Sequence, residues 1–289
     1  MIIRRRLSTE VRGRTAAITG AASGVGRALA LELAKRGANL ALSDIDPNGL
    51  DRTATQARAF GGQVTTASID VTDEQAVTDW AESTASRLGG VHMIFNVAGI
   101  IHAGNVIQTT TSDIRQIIDV DFWGVVHGTR AFLPHIIDAG GGNIVNVSSA
   151  FGLLSAPSYG AYNAAKFAVR GWTDALRHET RLAGHPVSVT CVYPGGIKTP
   201  IMANATSAAG TADAERRRHL FNTRIARTEP RDAAHAIVCG ALAGRPRVLI
   251  GADARVADLL ARITGSRYEL LIDLAAHYQR RQILPTNTP

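Results

Sequence analysis

Seven short apolar runs, separated by longer stretches of helical periodicity, pace this 289-residue chain. The runs are Thr15–Thr19, Asn39–Ser43, Val64–Ile69, His92–Asn96, Asn143–Ser148, Val187–Tyr193 and Arg247–Gly251. Each is rich in Val, Ile, Leu or Ala and bounded by Gly, Asp, Pro or Ser, which reads as a strand. None alternates strictly between apolar and polar residues, as expected of strands buried on both faces of a parallel sheet. Helical patterns fall at 24–37, 48–60, 73–88, 112–138, 160–184 and 230–243. The alternation predicts an α/β fold, a doubly wound parallel sheet of about seven strands flanked by helices, with right-handed crossovers. One domain over 14–252 accommodates it, with an N-terminal extension at 1–13 and a C-terminal helical extension at 253–289. Residues 200–228 break the rhythm and are read as a candidate substrate lid.

Composition narrows the function. Hydrophobic residues make up 45% and charged residues 19%, the balance of a chain that buries a core. A net charge of +7 raises nucleic acid as a partner. The arginine clusters, Arg4–Arg6, Arg216–Arg218 and Arg280-Arg281, are short and lack interleaved aromatics, so nucleic-acid binding is not expected. Cys191 and Cys239 are too few for a disulfide framework, and the nine histidines show no metal-ligand spacing. No metal is expected. The basic start at Arg4–Arg6 is not followed by an apolar run of signal-peptide length, and no stretch nears the roughly 18 apolar residues of a membrane span. The expectation is a cytoplasmic protein that engages no membrane.

The first strand runs into Thr19-Gly20-Ala21-Ala22-Ser23-Gly24-Val25-Gly26, and an Ala/Leu-rich helix follows. Glycines between a strand and a helix let the backbone approach a pyrophosphate, whose charge the helix N-terminus favours. Gly20, Ser23, Gly24, Val25 and Gly26 are therefore candidate dinucleotide ligands in a Rossmann-type domain. Asp44 ends the second strand, 24 residues beyond Gly20. A carboxylate there accepts hydrogen bonds from ribose hydroxyls and repels a 2′-phosphate, so NAD is expected over NADP. The competing reading makes Asp44 a cap for the helix after Pro47, a task open to Asp46 as well.

Tyr162 and Lys166 stand four residues apart on a predicted helix, which puts phenol and ammonium on one face. A free phenol has a pKa near 10 and is a poor base at neutral pH. A neighbouring ammonium, with an oxidised nicotinamide, would favour the phenolate, letting it take a proton from an alcohol while hydride leaves. Ser149 ends the fifth strand, at the sheet edge where open α/β folds bind ligands, from which its hydroxyl would hold the substrate oxygen. Taken singly, the pair reads equally as solvated surface and the serine as a local turn.

Together these elements resemble the short-chain dehydrogenase/reductase family over nearly the whole chain. Thr19-Gly20-(x)3-Gly24-x-Gly26 is similar to its cofactor loop, and Tyr162-(x)3-Lys166, with Ser149 13 residues earlier, to its active-site motif. Asn96-Val97-Ala98-Gly99 resembles its Asn-Asn-Ala-Gly element, with Val97 replacing the second Asn. Asp70-Val71 matches the pair that contacts adenine, and Pro194-Gly195-Gly196-Ile197-Lys198-Thr199 the segment beside the nicotinamide. The resemblance implies cofactor contacts at Asn96, Ala98, Gly99, Asp70, Val71, Pro194, Gly195, Ile197 and Thr199, besides Tyr162 and Lys166. It implies Tyr162 as acid/base, with Lys166 holding the nicotinamide ribose and Ser149 orienting the carbonyl. It also implies a homodimer or homotetramer, formed through the helices at 112–138 and 160–184.

One departure falls at Asp121, which aligns with an asparagine, the family's fourth catalytic residue. Either Asp121 keeps the proton relay and pairs with Lys166, weakening its pull on Tyr162, or the relay runs through a backbone carbonyl that any residue supplies. Candidate substrate residues are Ile101, His102, Phe151, Leu154, Tyr159 and Met202, with Leu153, Ile201 and Phe221. Their apolar character predicts a secondary alcohol and its ketone as substrates of an NAD-dependent dehydrogenase. Two alternatives are an NADPH-dependent carbonyl reductase of a biosynthetic pathway and a non-enzymatic NAD-sensing protein on the same fold.

Overall fold

The computed structural model describes residues 10–274. The strands are β1 (Thr15–Thr19), β2 (Asn39–Asp44), β3 (Val64–Ser68), β4 (Met93–Asn96), β5 (His102–Ala103), β6 (Gly142–Val147), β7 (Val187–Pro194), β8 (Thr206–Ser207) and β9 (Arg247–Ile250). The helices are α1 (Gly24–Lys35), α2 (Pro47–Arg58), α3 (Glu74–Leu88), α4 (Thr111–Ile118), α5 (Gly124–Asp138), α6 (Gly160–Leu182), α7 (Thr211–Leu220), α8 (Pro230–Leu242) and α9 (Ala252–Thr264). Seven strands form one parallel sheet in the order β3-β2-β1-β4-β6-β7-β9, while β5 and β8 pair separately. The seven-stranded doubly wound sheet is thus the one the sequence predicts. The switch of direction between β1 and β4 opens the crevice where such sheets bind ligands.

Successive residues of each strand feed opposite cores. Ile18, Leu40, Leu42 and Phe95 meet Leu29 and Leu33 of α1 and Ile237 and Val238 of α8. Ala17, Ala41, Ile94 and Ile144 meet Trp80 of α3, Phe132 and Ile136 of α5 and Leu176 of α6. Asp46 and Asp73 cap α2 and α3 by accepting the Gly49 and Ala76 N–H groups, both at 3.0 Å.

The helix expected over 112–138 is interrupted. α4 ends at Ile118, a wide π-type turn carries Asp119–Trp123, and α5 starts at Gly124. The apolar pattern runs through this turn unbroken, which hid it. The extra residue in the turn brings Asp121 into the interior with no exposed surface. Residues 200–228 contain a short turn at Pro200–Met202, β8, α7 and a second wide turn at Phe221–Ile225. This segment is tied down: β8 lies parallel to β5, and Ile197 bridges to Thr228. Of the terminal extensions, 1–9 and 275–289 lie outside the described residues. No described helix is long and apolar enough to cross a membrane.

Candidate active site

At the cofactor loop, glycine is required by close approach. A Cβ on Gly26 would stand 2.0 Å from the Gly20 carbonyl oxygen, and one on Gly20, with φ +68°, 2.9 Å from Ala98 Cα. Thr19 Oγ1 ties the loop to the next crossover by accepting the N–H groups of Val97 at 2.9 Å and Ala98 at 3.2 Å. Ser23 makes no side-chain cap on α1, so first-turn N–H groups are left for an anion or solvent. Asp44 accepts the Ala22 N–H at 2.8 Å and the Asp46 N–H at 3.0 Å. Asp46, not Asp44, caps α2, so the capping reading of Asp44 does not describe this structure. The tight cradle and the carboxylate beside it fit a dinucleotide. Across the crevice Thr199 approaches Gly24, whose added Cβ would meet the threonine methyl at 3.1 Å.

The catalytic candidates converge. Near the start of α6, Tyr162 and Lys166 are both buried, with the Lys166 Nζ 5.4 Å from the Tyr162 ring centre. Ser149 accepts the Phe151 N–H at 3.1 Å, and its hydroxyl is one of the groups that pull the Tyr162 phenol down. Lys166 Nζ pairs with Asp121 Oδ2 at 2.9 Å and donates to the Val147 carbonyl at 3.4 Å. Asp121 Oδ1 accepts the Ile100 N–H at 2.8 Å. Gly99 lies over the pair, where a Cβ would come within 3.4 Å of both the carboxylate and the ammonium.

Electrostatics here are set by burial first. Burial pushes the Asp121 carboxyl above its ordinary range, against the pull of Lys166 and the Ile100 N–H. Burial alone would lower Lys166, but attraction to Asp121 and Tyr162 outweighs it and holds the ammonium above the usual lysine value. The Tyr162 phenol is also raised: burial and the Asp121 charge outweigh the ammonium and Ser149. The expectation that Lys166 draws the phenol down therefore meets a counterweight in Asp121.

Other candidate residues divide. Ile101, Phe151 and Tyr159 pack around Tyr162, with Phe151 ring centres 5.4 Å from Tyr159 and 6.1 Å from Tyr162. Leu153 instead joins Cys191 and Tyr193, and Met202 is buried. His102 is buried, and its Nδ1 bonds Thr206 Oγ1 at 2.8 Å, joining β5 to the 200–228 segment. Asn96 is buried too, its amide donating to Asn146 Oδ1 at 2.8 Å and Thr129 Oγ1 at 3.3 Å. Its side chain thus braces β4 against β6 and α5. Asp70 accepts the Thr72 N–H at 2.9 Å; Val71 is buried under α5, where an added Cβ on Gly124 would strike it at 2.6 Å. Sequence reasoning missed Asp253, whose Oδ2 accepts the Gly196 N–H at 2.5 Å and whose carboxylate fills the space of a Gly195 Cβ. Its signal was the paired glycine at 195–196, which a close neighbour explains. Among the described residues, no three His, Cys, Asp or Glu side chains are placed to hold a metal.

Residues 14–210 match the family described as short chain dehydrogenase. The chain belongs to the short-chain dehydrogenase family. It is 52% identical over 260 residues to SadH of Mycobacterium tuberculosis, described as an oxidoreductase, covering 90% of this chain and 94% of that one. The 3-oxoacyl-[acyl-carrier-protein] reductase FabG of Thermotoga maritima is 34% identical over 65% of this chain and 76% of its own. Among solved structures, a short-chain dehydrogenase from Burkholderia phymatum in complex with NAD superposes with a TM-score of 0.79 at 29% identity, covering 97% and 99% of the two chains. Carveol dehydrogenase from Mycobacterium avium, also in complex with NAD, gives 0.75 at 25% identity over 86% and 100%. As a short-chain dehydrogenase, the chain is an oxidoreductase on a Rossmann-type fold.

Proposed function

We propose that this short-chain dehydrogenase interconverts an apolar secondary alcohol and its ketone with NAD. The observation that carries the reading is the buried set Tyr162, Lys166 and Asp121, with the half-buried Ser149 beside it, at the edge of the parallel sheet. Gly20, Ser23, Gly24, Val25 and Gly26 would hold the pyrophosphate, Asp44 the adenosine ribose, and Ala98, Gly99, Pro194, Gly195, Ile197 and Thr199 the nicotinamide half. NAD, when bound, supplies the hydride acceptor and a positive ring that favours phenolate.

Ser149 donates to the substrate oxygen and Tyr162 takes its proton as the carbinol hydride departs; in reverse Tyr162 protonates the oxygen of the reduced ketone. Lys166 favours the phenolate, and Asp121 holds Lys166 in place while opposing it. Ile101, Phe151 and Tyr159 offer an apolar wall for the substrate. NAD is preferred because Asp44 would face a 2′-phosphate with like charge. The NAD-bound relatives support the same choice. A homodimer or homotetramer built on α4, α5 and α6 is part of the proposal.

Mixing the protein with NAD and a panel of secondary alcohols should produce NADH absorbance. Tighter binding of NADH than NADPH, relaxed by Asp44→Ala, is the companion result. Tight NAD binding with no turnover across the panel would instead make the chain a nucleotide sensor, and a preference for NADPH would make it a biosynthetic carbonyl reductase.

A further inference from the structure

On the face of the sheet opposite α6, α1 and α8 lie side by side, and four polar side chains meet on their exposed seam. Glu32 and Arg36 are one turn apart on α1; His235 and Cys239 are one turn apart on α8. The Cys239 Sγ stands 3.6 Å from His235 Nε2, and His235 Nδ1 stands 3.0 Å from Glu32 Oε1. Arg36 donates to Glu32 Oε1 at 2.6 Å, and its NH2 group lies 3.5 Å from the Cys239 sulfur and 3.3 Å from His235 Nδ1.

This is the arrangement of an activated thiol: a nucleophile against a base, with the base's far nitrogen oriented by a carboxylate. In the tautomer with Nδ1 protonated, Glu32 accepts that N–H and Nε2 faces the thiol. Arg36 sets a guanidinium donor beside the sulfur. The protein's other cysteine, Cys191, has none of this: it is buried inside β7, and burial pushes its thiol up to about 11.

We propose that Cys239 is a thiol-modification site, taking up one half of a low-molecular-weight disulfide. The sulfur of Cys239 attacks one sulfur of the disulfide; the new S–S bond forms as the old one breaks. The departing thiolate takes up the proton that His235 Nε2 removed, so the small disulfide is reduced to one free thiol as Cys239 is oxidised. α1 begins at the cofactor loop, which joins the seam by one helix to the dinucleotide cradle.

Labelling the intact protein at pH 7 with 5,5′-dithiobis(2-nitrobenzoate) tests the proposal. One fast equivalent per chain is expected, with the second thiol reacting only after denaturation. Cys239→Ser should abolish the fast phase. His235→Asn and Glu32→Gln should each slow it, the former by about 100-fold, the low end for loss of a positioned base. Oxidised glutathione should add a single mixed disulfide, seen by intact mass and removed by dithiothreitol, to the wild type and not to Cys239→Ser. Circular dichroism checks that each variant is folded. A fast phase surviving Cys239→Ser, a His235→Asn or Glu32→Gln variant reacting at the wild-type rate, or no glutathione adduct overturns it.

Discussion

Asp121 differs from an asparagine by one atom, yet it sets the charge balance of the whole site. A buried carboxylate 2.9 Å from Lys166 keeps the ammonium charged and adds a negative charge that makes the nearby phenolate harder to form. The sign of its effect on pH dependence follows. Oxidation of an alcohol needs phenolate, so its rate rises with pH through the apparent pKa of Tyr162, and removing the negative charge lowers that pKa. Asp121→Asn should therefore move the acidic limb of the kcat/KM profile for oxidation down by roughly one pH unit. An unmoved limb, read from initial rates between pH 6 and 11 (a range chosen about the ordinary phenol value), would show that Asp121 does not communicate with Tyr162. Asp121→Ala belongs to a different case, because it strands a buried ammonium. A loss of about 3–5 kcal/mol in denaturant stability is expected there, and a smaller one for the asparagine variant, whose amide oxygen still accepts from the ammonium.

At the scale of elements, three connections hold the site: the glycine turn into α1, the wide turn between α4 and α5, and the 200–228 segment. Gly26→Ala would drive a methyl into the Gly20 carbonyl. The expected result is at least a tenfold weaker NAD titration and about 1–3 kcal/mol of lost stability by denaturant melt; wild-type NAD affinity would contradict it. Inside the 200–228 segment Asp213 tethers α7 to β8: it accepts from Ser207 Oγ at 2.8 Å and pairs with Arg216 and Arg217 at 2.7 and 2.5 Å. Those arginines and Ser207 outweigh burial and lower its carboxyl to about 2. A depressed carboxyl stabilises fully above its ordinary value of 3.8 and loses that contribution as pH falls toward 2. Protease cleavage between 200 and 228 should accordingly quicken in that acid window, and Asp213→Asn should be cleaved quickly even at pH 6; an Asp213→Asn protein as resistant as wild type would refute the tether. What was legible at this scale was periodicity. The seven runs bounded by Gly, Asp and Pro became the seven strands; the inner ones are apolar because both their faces are buried, while the edge strand β3 is only partly buried and carries two threonines. The break at Asp119–Trp123 was invisible, since the apolar spacing from Ile117 to Val126 is undisturbed and an added residue in a turn leaves no compositional trace. Asp253 left only an indirect trace in the glycine pair 195–196: its partner, the Gly196 N–H, lies 57 residues away in sequence and is met only in the fold.

For the molecule as a whole, two cores on either side of one sheet carry the active line to its C-terminal edge. The motif spacing placed Ser149, Tyr162 and Lys166 together because one strand end and one helix face fix all three. It left unread the bracing bonds of the Asn96 side chain, because whether a side chain at a strand end turns inward depends on Thr129 and Asn146 across the sheet. The central claim is that this fold delivers a proton acceptor at Tyr162 for hydride transfer to NAD. The direct measurement is NADH formation from a secondary alcohol that the wild type oxidises, compared with Tyr162→Phe, both proteins having been shown to bind NAD by fluorescence titration. Loss of turnover by at least about 100-fold with NAD affinity kept within a few-fold is the predicted result. A Tyr162→Phe enzyme that binds NAD and turns over at the wild-type rate would contradict the account.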